Sequence, residues 1–512
     1  MSSSTPWRKT VGEMLLLSPV EVGDLSLSSS SRKRQITPLA EKMSPKKLAV
    51  ITGPGAVSTV ANSVALSTLQ NPLRWFVKSD LAYIASRSSL YEATPNPLLQ
   101  TAQVRNEVPR HIILPFDLRD EENALDDPKN VDLLFSIFPG TIAVGTDGWF
   151  VYIEQSTLPP KPWPLTVAGL PLYFQMEMGE TPLPRAKPVH WRNGSIAEDR
   201  NGRDMEDWTP LFHIIKDHFE SIGVSITEVI YFGSIVYIVL EHRGTDYKVL
   251  PRCAARIVCW YMFEDEMDRP STPYARRIHD PALGNPDRSK YDTLQPGLCI
   301  ASTHIPGTSG HYLSSTTGVL VKDRMGTKFM TAAAHSFPSE CGTSVWHSSP
   351  DTGRDIGELI QEVSHTDIAL IRLKGNETFS NVTFENEAMP NALQLTKFIA
   401  TGTYKRHSIV CLDSPDSGYM EGSFMGQAFR TYPIDGGTPQ RKWMSTIWLY
   451  LGEDTGLNLP QGICGSAIWD KDGNVLGFFQ YAPTQGVMTK FCTGMSADEL
   501  TERGYTLVDT SP

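Results

Sequence analysis

The spacing of apolar positions divides this chain in two. PLFHIIKDHFESIG, from Pro210 to Gly223, carries apolar residues at helical intervals and predicts an amphipathic helix. Thr209 is placed to cap it, Pro210 suits its first turn and Gly223 its end. SITEVIYFGSIVYIVLEHRG then reads as two β-rich runs around Gly233–Ser234, a hairpin pattern. Short β-like runs such as Trp149–Glu154 alternate with Pro-rich joints such as LPPKPWPLTVAGLPLYF. After about residue 297 the pattern changes. TGVLVKD, TKFMTAAA, DIALIRL, HSIVCL, MSTIWLYL, SAIWD and NVLGFFQYA are short, closely spaced and without helical period, which predicts an all-β barrel or sandwich.

A chain of 512 residues is too long for one ordinary core. The expected layout is multidomain. Residues 1–50 are rich in Ser, Lys and Arg and read as a disordered tail. Residues 51–278 read as an α+β domain, and 279–297, with their Pro, Gly and Asp, as a linker. Residues 298–512 form the all-β part.

Charge narrows the partners. The net charge is −11 with no long single-sign run, so no nucleic-acid partner is expected. No apolar window reaches the length of a membrane-spanning helix, so no membrane is expected either. The seven cysteines include no CxxC, which fits neither a disulfide framework nor a zinc ribbon. His213 and His218 are five apart and miss the i,i+4 spacing of two metal ligands on one helical face. No metal or cofactor is expected. The N-terminus lacks the apolar run of a secretory leader, so the expected location is cytoplasmic, with a nuclear one left open by the basic SRKRQ cluster.

Three residues stand in settings that suit chemistry. His335 closes TAAAH, where small residues let the chain pack closely as a strand ends. Asp367 opens the buried-type run of DIALIRL, where an acid can hold an imidazole from behind and fix its tautomer. Cys464 sits in Gly462-Ile-Cys-Gly-Ser, a turn that glycines permit and that can aim main-chain N–H groups at one point. Each has a plain structural reading on its own: a loop histidine, a strand-starting acid, a small buried thiol. Their order is His, Asp, Cys.

In that order the motifs resemble the chymotrypsin-like (trypsin-fold) protease superfamily, over roughly residues 297–512. TAAAH is similar to that family's histidine motif, DIALIRL to its aspartate motif, and GICGSA to its Gly-Asp-Ser-Gly-Gly-Pro loop. The resemblance implies two six-stranded β-barrels with the active site between them. It implies His335 as general base, Asp367 as its orienter and Cys464 as nucleophile. Gly462 and Cys464 would supply the N–H groups of an oxyanion hole. By the family's spacing, Asn458 would lie near the base of the primary pocket, and Phe479, Gln480 and Tyr481 would flank the substrate cleft.

The chain departs from the secreted serine enzymes twice. Its nucleophile position is Cys, as in viral chymotrypsin-like cysteine proteases. Ile463 replaces the Asp that pairs with a freed N-terminus on zymogen cleavage, so another device must hold the turn. Ser466, two residues past the elbow, is a poor alternative nucleophile. The implied function is an intracellular endopeptidase acting on protein or peptide through an acyl-enzyme. A pseudoprotease serving as a binding or regulatory module, and a barrel that only processes its own chain near the linker, are the competing readings.

Overall fold

The computed structural model describes residues 74–77, 110–119, 124–176, 180–184, 186–188, 207–269, 276–277, 289–304, 312–337, 341–386, 389–415, 417–433, 441–453, 459 and 462–510. The tail 1–50, most of the expected linker and Asn458 lie outside them. The described part is mostly β-sheet with few helices. None of these helices is long and apolar enough to cross a membrane.

The predicted helix spans Thr209–Ser221 and buries Leu211, Phe212, Ile215 and Phe219. Thr209 is its first residue rather than its cap. The Asp207 carboxylate accepts the Thr209 N–H at 2.9 Å and takes the capping role itself. Gly223 ends the helix as expected, at φ 66°, with its N–H on Glu220 O at 3.1 Å and that of Val224 on Phe219 O at 3.0 Å. The predicted hairpin is formed by Ile226–Tyr231 and Ile235–Leu240, with Gly233 at φ 76° in the turn. A second helix, Pro128–Ile137, is capped by Asp127 and packs on a six-stranded sheet built mainly from residues 141–175.

Two larger sheets frame the site. In a twelve-stranded sheet, six strands pair in a closed ring: Met420–Pro433, Ile409–Leu412, Ala467–Asp470, Asn474–Tyr481, Phe491–Ser496, Arg441–Tyr450, and back to Met420–Pro433. Such a ring is a barrel, without free edges along it. Its 14-residue strand Met420–Pro433 extends past the Ile409–Leu412 strand. There it pairs instead with Ile226–Tyr231, in the register Gln427↔Tyr231 to Arg430↔Glu228. The sheet therefore runs without a break from the first half of the chain into the barrel. One apolar core follows it across. Trp149, Phe150, Tyr152 and Tyr173 pack with Phe232, Tyr237, Trp448, Tyr450 and Phe491.

The other is a nine-stranded sheet. Its order runs Arg276–Arg277, Tyr312–Thr316, Cys299–His304, Ser344–His347, Arg354–Glu362, Ile368–Leu373, Lys328–Ala333, Leu320–Lys322 and Thr506–Leu507. Residues at the end of the expected linker are packed rather than loose. Thr293–Leu294 pairs with Thr378–Phe379, and Leu294 is fully buried.

Candidate active site

The register of two strands sets His335 against Asp367. Lys328–Ala333 pairs antiparallel with Ile368–Leu373, ending at Ala333↔Ile368. The pairing carries one step further, with the Ala334 N–H on Asp367 O at 2.8 Å. His335 follows in a single 3-10 turn, Ala334–Ser336. Its Nδ1 lies 2.7 Å from Asp367 Oδ2 and 3.0 Å from Oδ1, and its own N–H donates to Oδ1 at 2.8 Å. Asp367 is in the left-handed region at φ 59°, which Asp tolerates better than most residues. The Glu362 carboxylate accepts the Asp367 N–H at 3.0 Å and steadies that turn.

Both groups are largely enclosed, with side-chain exposures of 11% for His335 and 14% for Asp367. Burial opposes charge on each. For His335 that opposition is outweighed by the Asp367 charge and hydrogen bond and by the nearby Cys464 side chain, which raise its pKa well above the ordinary 6.5. For Asp367 burial is outweighed by the His335 charge, its two N–H donors and the Gln480 amide, which hold the carboxyl below the ordinary 3.8.

Cys464 lies in the loop that enters the Ala467–Asp470 strand and is 4% exposed. The loop turns on Gly462 at φ 90° and Gly465 at φ 92°. A Cβ on Gly465 would stand 2.6 Å from Ala333 N and 2.7 Å from Thr316 O, so only glycine lets this turn sit against the strand that leads to His335. Three hydrogen bonds pin the loop to the nine-stranded sheet. Ser315 Oγ and Thr316 N donate to Cys464 O at 2.9 and 3.0 Å, and Thr316 Oγ1 donates to Gly462 O at 2.7 Å. The N–H groups of Gly462 and Cys464 donate to none of the described residues.

Ile463 sits between them. It is 2% exposed and packs in an apolar cluster with Val410, Leu412, Leu449, Ile468, Leu476 and Phe479. A buried apolar side chain anchors the middle of this turn. Burying an Ile contributes about 1.5–3 kcal/mol.

The thiol and the imidazole are neighbours, yet the thiol donates elsewhere. Cys464 Sγ lies 2.9 Å from Gln480 O, and His335 Nε2 is enclosed without a hydrogen-bond partner. Gln480 also donates its amide to Asp367 Oδ2 at 3.2 Å, so one residue touches both the thiol and the acid. Phe479, Gln480 and Tyr481 are 4%, 8% and 3% exposed, and the Tyr481 ring packs edge-on against Trp448. Ser466 is 1% exposed, with its hydroxyl enclosed and unbonded.

Sequence reasoning did not find Ser315 and Thr316. A Ser-Thr pair inside a strand carries no signal that its hydroxyl groups will meet carbonyl oxygens 149 and 146 residues away. For Gln480 it anticipated the main chain but not the amide.

Among solved structures, the chain is similar to a protease of Nocardiopsis at 15% identity, with 42% of this chain and 98% of that one covered and a TM-score of 0.29. It is similar to protease A of Thermobifida fusca at 12%, with 42% and 98% covered and the same score. A chymotrypsin of Cellulomonas bogoriensis aligns at 14%, with 43% and 100% covered and a TM-score of 0.29. No family model and no curated protein matches the chain.

Proposed function

We propose that this chain is an endopeptidase of trypsin-like fold that hydrolyses peptide bonds through Cys464, His335 and Asp367. One observation carries the reading. A largely enclosed imidazole bonded to a carboxylate lies beside a thiol on a glycine-flanked turn whose Gly462 and Cys464 N–H groups meet no acceptor among the described residues. The nine-stranded sheet is the partner of the closed six-stranded ring, and the site lies between them. The described part of residues 51–278 belongs to an α+β domain that backs the closed ring.

In this reading His335 takes the Cys464 thiol proton and the thiolate attacks the carbonyl carbon. The developing oxyanion is met by the Gly462 and Cys464 N–H groups. His335⁺ then protonates the leaving amine, and water, activated by the same imidazole, hydrolyses the thioester. Asp367 holds the ring in one tautomer and stabilises its charge throughout. No cofactor takes part. The seven free cysteines suit a reducing, intracellular setting.

A second reading is a pseudoprotease, favoured by the thiol's bond to Gln480 O. An electrophilic thiol probe separates the two. Peptidase chemistry predicts labelling of wild type and none of Cys464→Ala. Equal labelling of both rejects it.

A further inference from the structure

The turn that presents Asp367 joins the strands Arg354–Glu362 and Ile368–Leu373. Three of its residues lie in the left-handed region: Ser364 at φ 37°, His365 at φ 62° and Asp367 at φ 59°. None of them is glycine, and for other L-residues that region carries a steric penalty. Thr366 closes the turn locally, giving its N–H and its hydroxyl to Val363 O at 2.9 and 2.5 Å. A backbone under such strain persists only where its surroundings fix it.

The fixing contact comes from the other side of the site. Lys442, on the closed ring's strand Arg441–Tyr450, donates its ammonium to Ser364 Oγ at 2.6 Å and to Ser364 O at 3.1 Å. Both bonds fall on the first left-handed residue. Side chains alternate along a strand, so Lys442 and Met444 share one face and Trp443 takes the other. Met444 is fully buried in one apolar cluster with Val363 and Ile368, which flank the turn. Trp443 packs edge-on against Phe212 of the helix Thr209–Ser221, with ring centres 5.2 Å apart. Phe212 also stacks on Phe429 at 4.0 Å, and Phe429 is paired with Ser445 on one side and Val229 on the other. The strand that carries Lys442 is therefore gripped by the first half of the chain on one face and holds the Asp367 turn with the other.

We propose that Lys442 is a positioning residue for the Asp367–His335 pair, and that the helix Thr209–Ser221 sets the aim of the Asp367 carboxylate through it. This rests on the peptidase reading above. Two bonds from one ammonium hold Ser364 in its left-handed conformation. That conformation keeps the carboxylate in line with His335 Nδ1, 2.7 Å away. Without the ammonium the turn relaxes toward the ordinary right-handed region and the carboxylate leaves the ring.

The test uses the full chain as wild type, Lys442→Met, Lys442→Arg and Phe212→Leu, with thermal melting to check each fold. Lys442→Met should lower kcat on a peptide by about tenfold to a hundredfold with KM little changed, because a displaced support acts on the chemical step. Lys442→Arg keeps donors for both oxygens and should restore most of the rate. Phe212→Leu should lower kcat in the same direction by a smaller factor. NMR of the ring protons gives a readout that does not depend on turnover. His335 should titrate closer to 6.5 in Lys442→Met than in wild type, and return in Lys442→Arg. Should Lys442→Met fail to fold, Ser364→Ala removes one of the two bonds and is read in the same way. A folded Lys442→Met protein with the wild-type kcat and the wild-type titration of His335 overturns the proposal. An unchanged kcat in Phe212→Leu overturns the part given to the helix. A wild type that cleaves no peptide overturns the peptidase reading, and the His335 titration then decides the role of Lys442 by itself.

Discussion

Gln480 bonds both neighbours of His335. Its main-chain oxygen accepts the Cys464 thiol at 2.9 Å, and its side-chain amide donates to Asp367 at 3.2 Å. The two contacts can be separated by mutation. Gln480→Ala keeps the carbonyl and removes the amide. A hydrogen bond to a charged group contributes about 1.5–3 kcal/mol. Peptide hydrolysis should fall roughly tenfold or more in kcat with KM little changed. Steady-state kinetics on a peptide substrate measures this, and a fall confined to KM would show that Gln480 serves binding alone.

Asp367→Asn is expected to keep the fold and lose about 10⁴ in kcat, since an amide can hold the ring in the wrong tautomer. The same variant tests the electrostatics. The pKa of His335 is raised above 6.5, so its contribution to stability is fully present below pH 6.5 and is lost as pH rises through the folded value. That of Asp367 is lowered below 3.8, so its contribution is present above pH 3.8 and lost as pH falls through the folded value. Wild type should exceed Asp367→Asn in stability most between these limits. NMR of the ring protons should find His335 still protonated well above pH 6.5 in wild type and closer to that value in the variant.

Ile463 carries the anchoring of the nucleophile turn. Ile463→Val should cost about 0.5–1.5 kcal/mol and leave labelling of Cys464 intact. Ile463→Asp puts a carboxylate into an apolar cluster that offers it no cation, and should cost about 3 kcal/mol or more and abolish labelling. Denaturant midpoints read the first quantity and mass spectrometry the second. Full labelling of a folded Ile463→Asp protein would mean that the three hydrogen bonds from Ser315 and Thr316 hold the turn unaided.

Glu421 links the first half of the chain to the barrel. Its carboxylate meets His111 Nε2 at 2.8 Å and the Tyr419 hydroxyl at 2.9 Å, with Lys471 at 3.6 Å. Burial opposes its ionisation, but the His111 bond and charge prevail and bring its pKa to about 2 from an ordinary 4.5. The stability it supplies is present above pH 4.5 and fades as pH falls toward 2. Glu421→Gln should therefore be less stable than wild type at pH 7 and lose that difference in acid. Thermal melts at several pH values check this.

The sequence made some of this legible for definite reasons. TAAAH and DIALIRL end and begin buried strands, so their apolar runs place His335 and Asp367 at neighbouring strand ends, where a single register brings them together. The helix and hairpin of residues 209–240 follow from periodicity and two glycines. Other parts were illegible. Met420–Pro433 is interrupted by Gly422 and Gly426 and shifts register near Phe424, so its alternation is broken on paper though it is the longest strand among those described. Its pairing with Ile226–Tyr231 joins residues about two hundred apart, and no local pattern encodes a partner at that distance. Arg276–Arg277 is too short to read as a strand at all.

The shared sheet sets a lower limit on the working molecule. Cutting the chain at the point where its apolar pattern changes would strip Gln427–Arg430 of their partner strand on one side and leave Trp448, Tyr450 and Phe491 without aromatic residues that cover them. Bare strand edges and large apolar patches invite self-association. A recombinant piece limited to residues 298–512 would thus be insoluble even though it holds every group of the proposed chemistry, whereas the two pieces produced together from separate messages would reassemble.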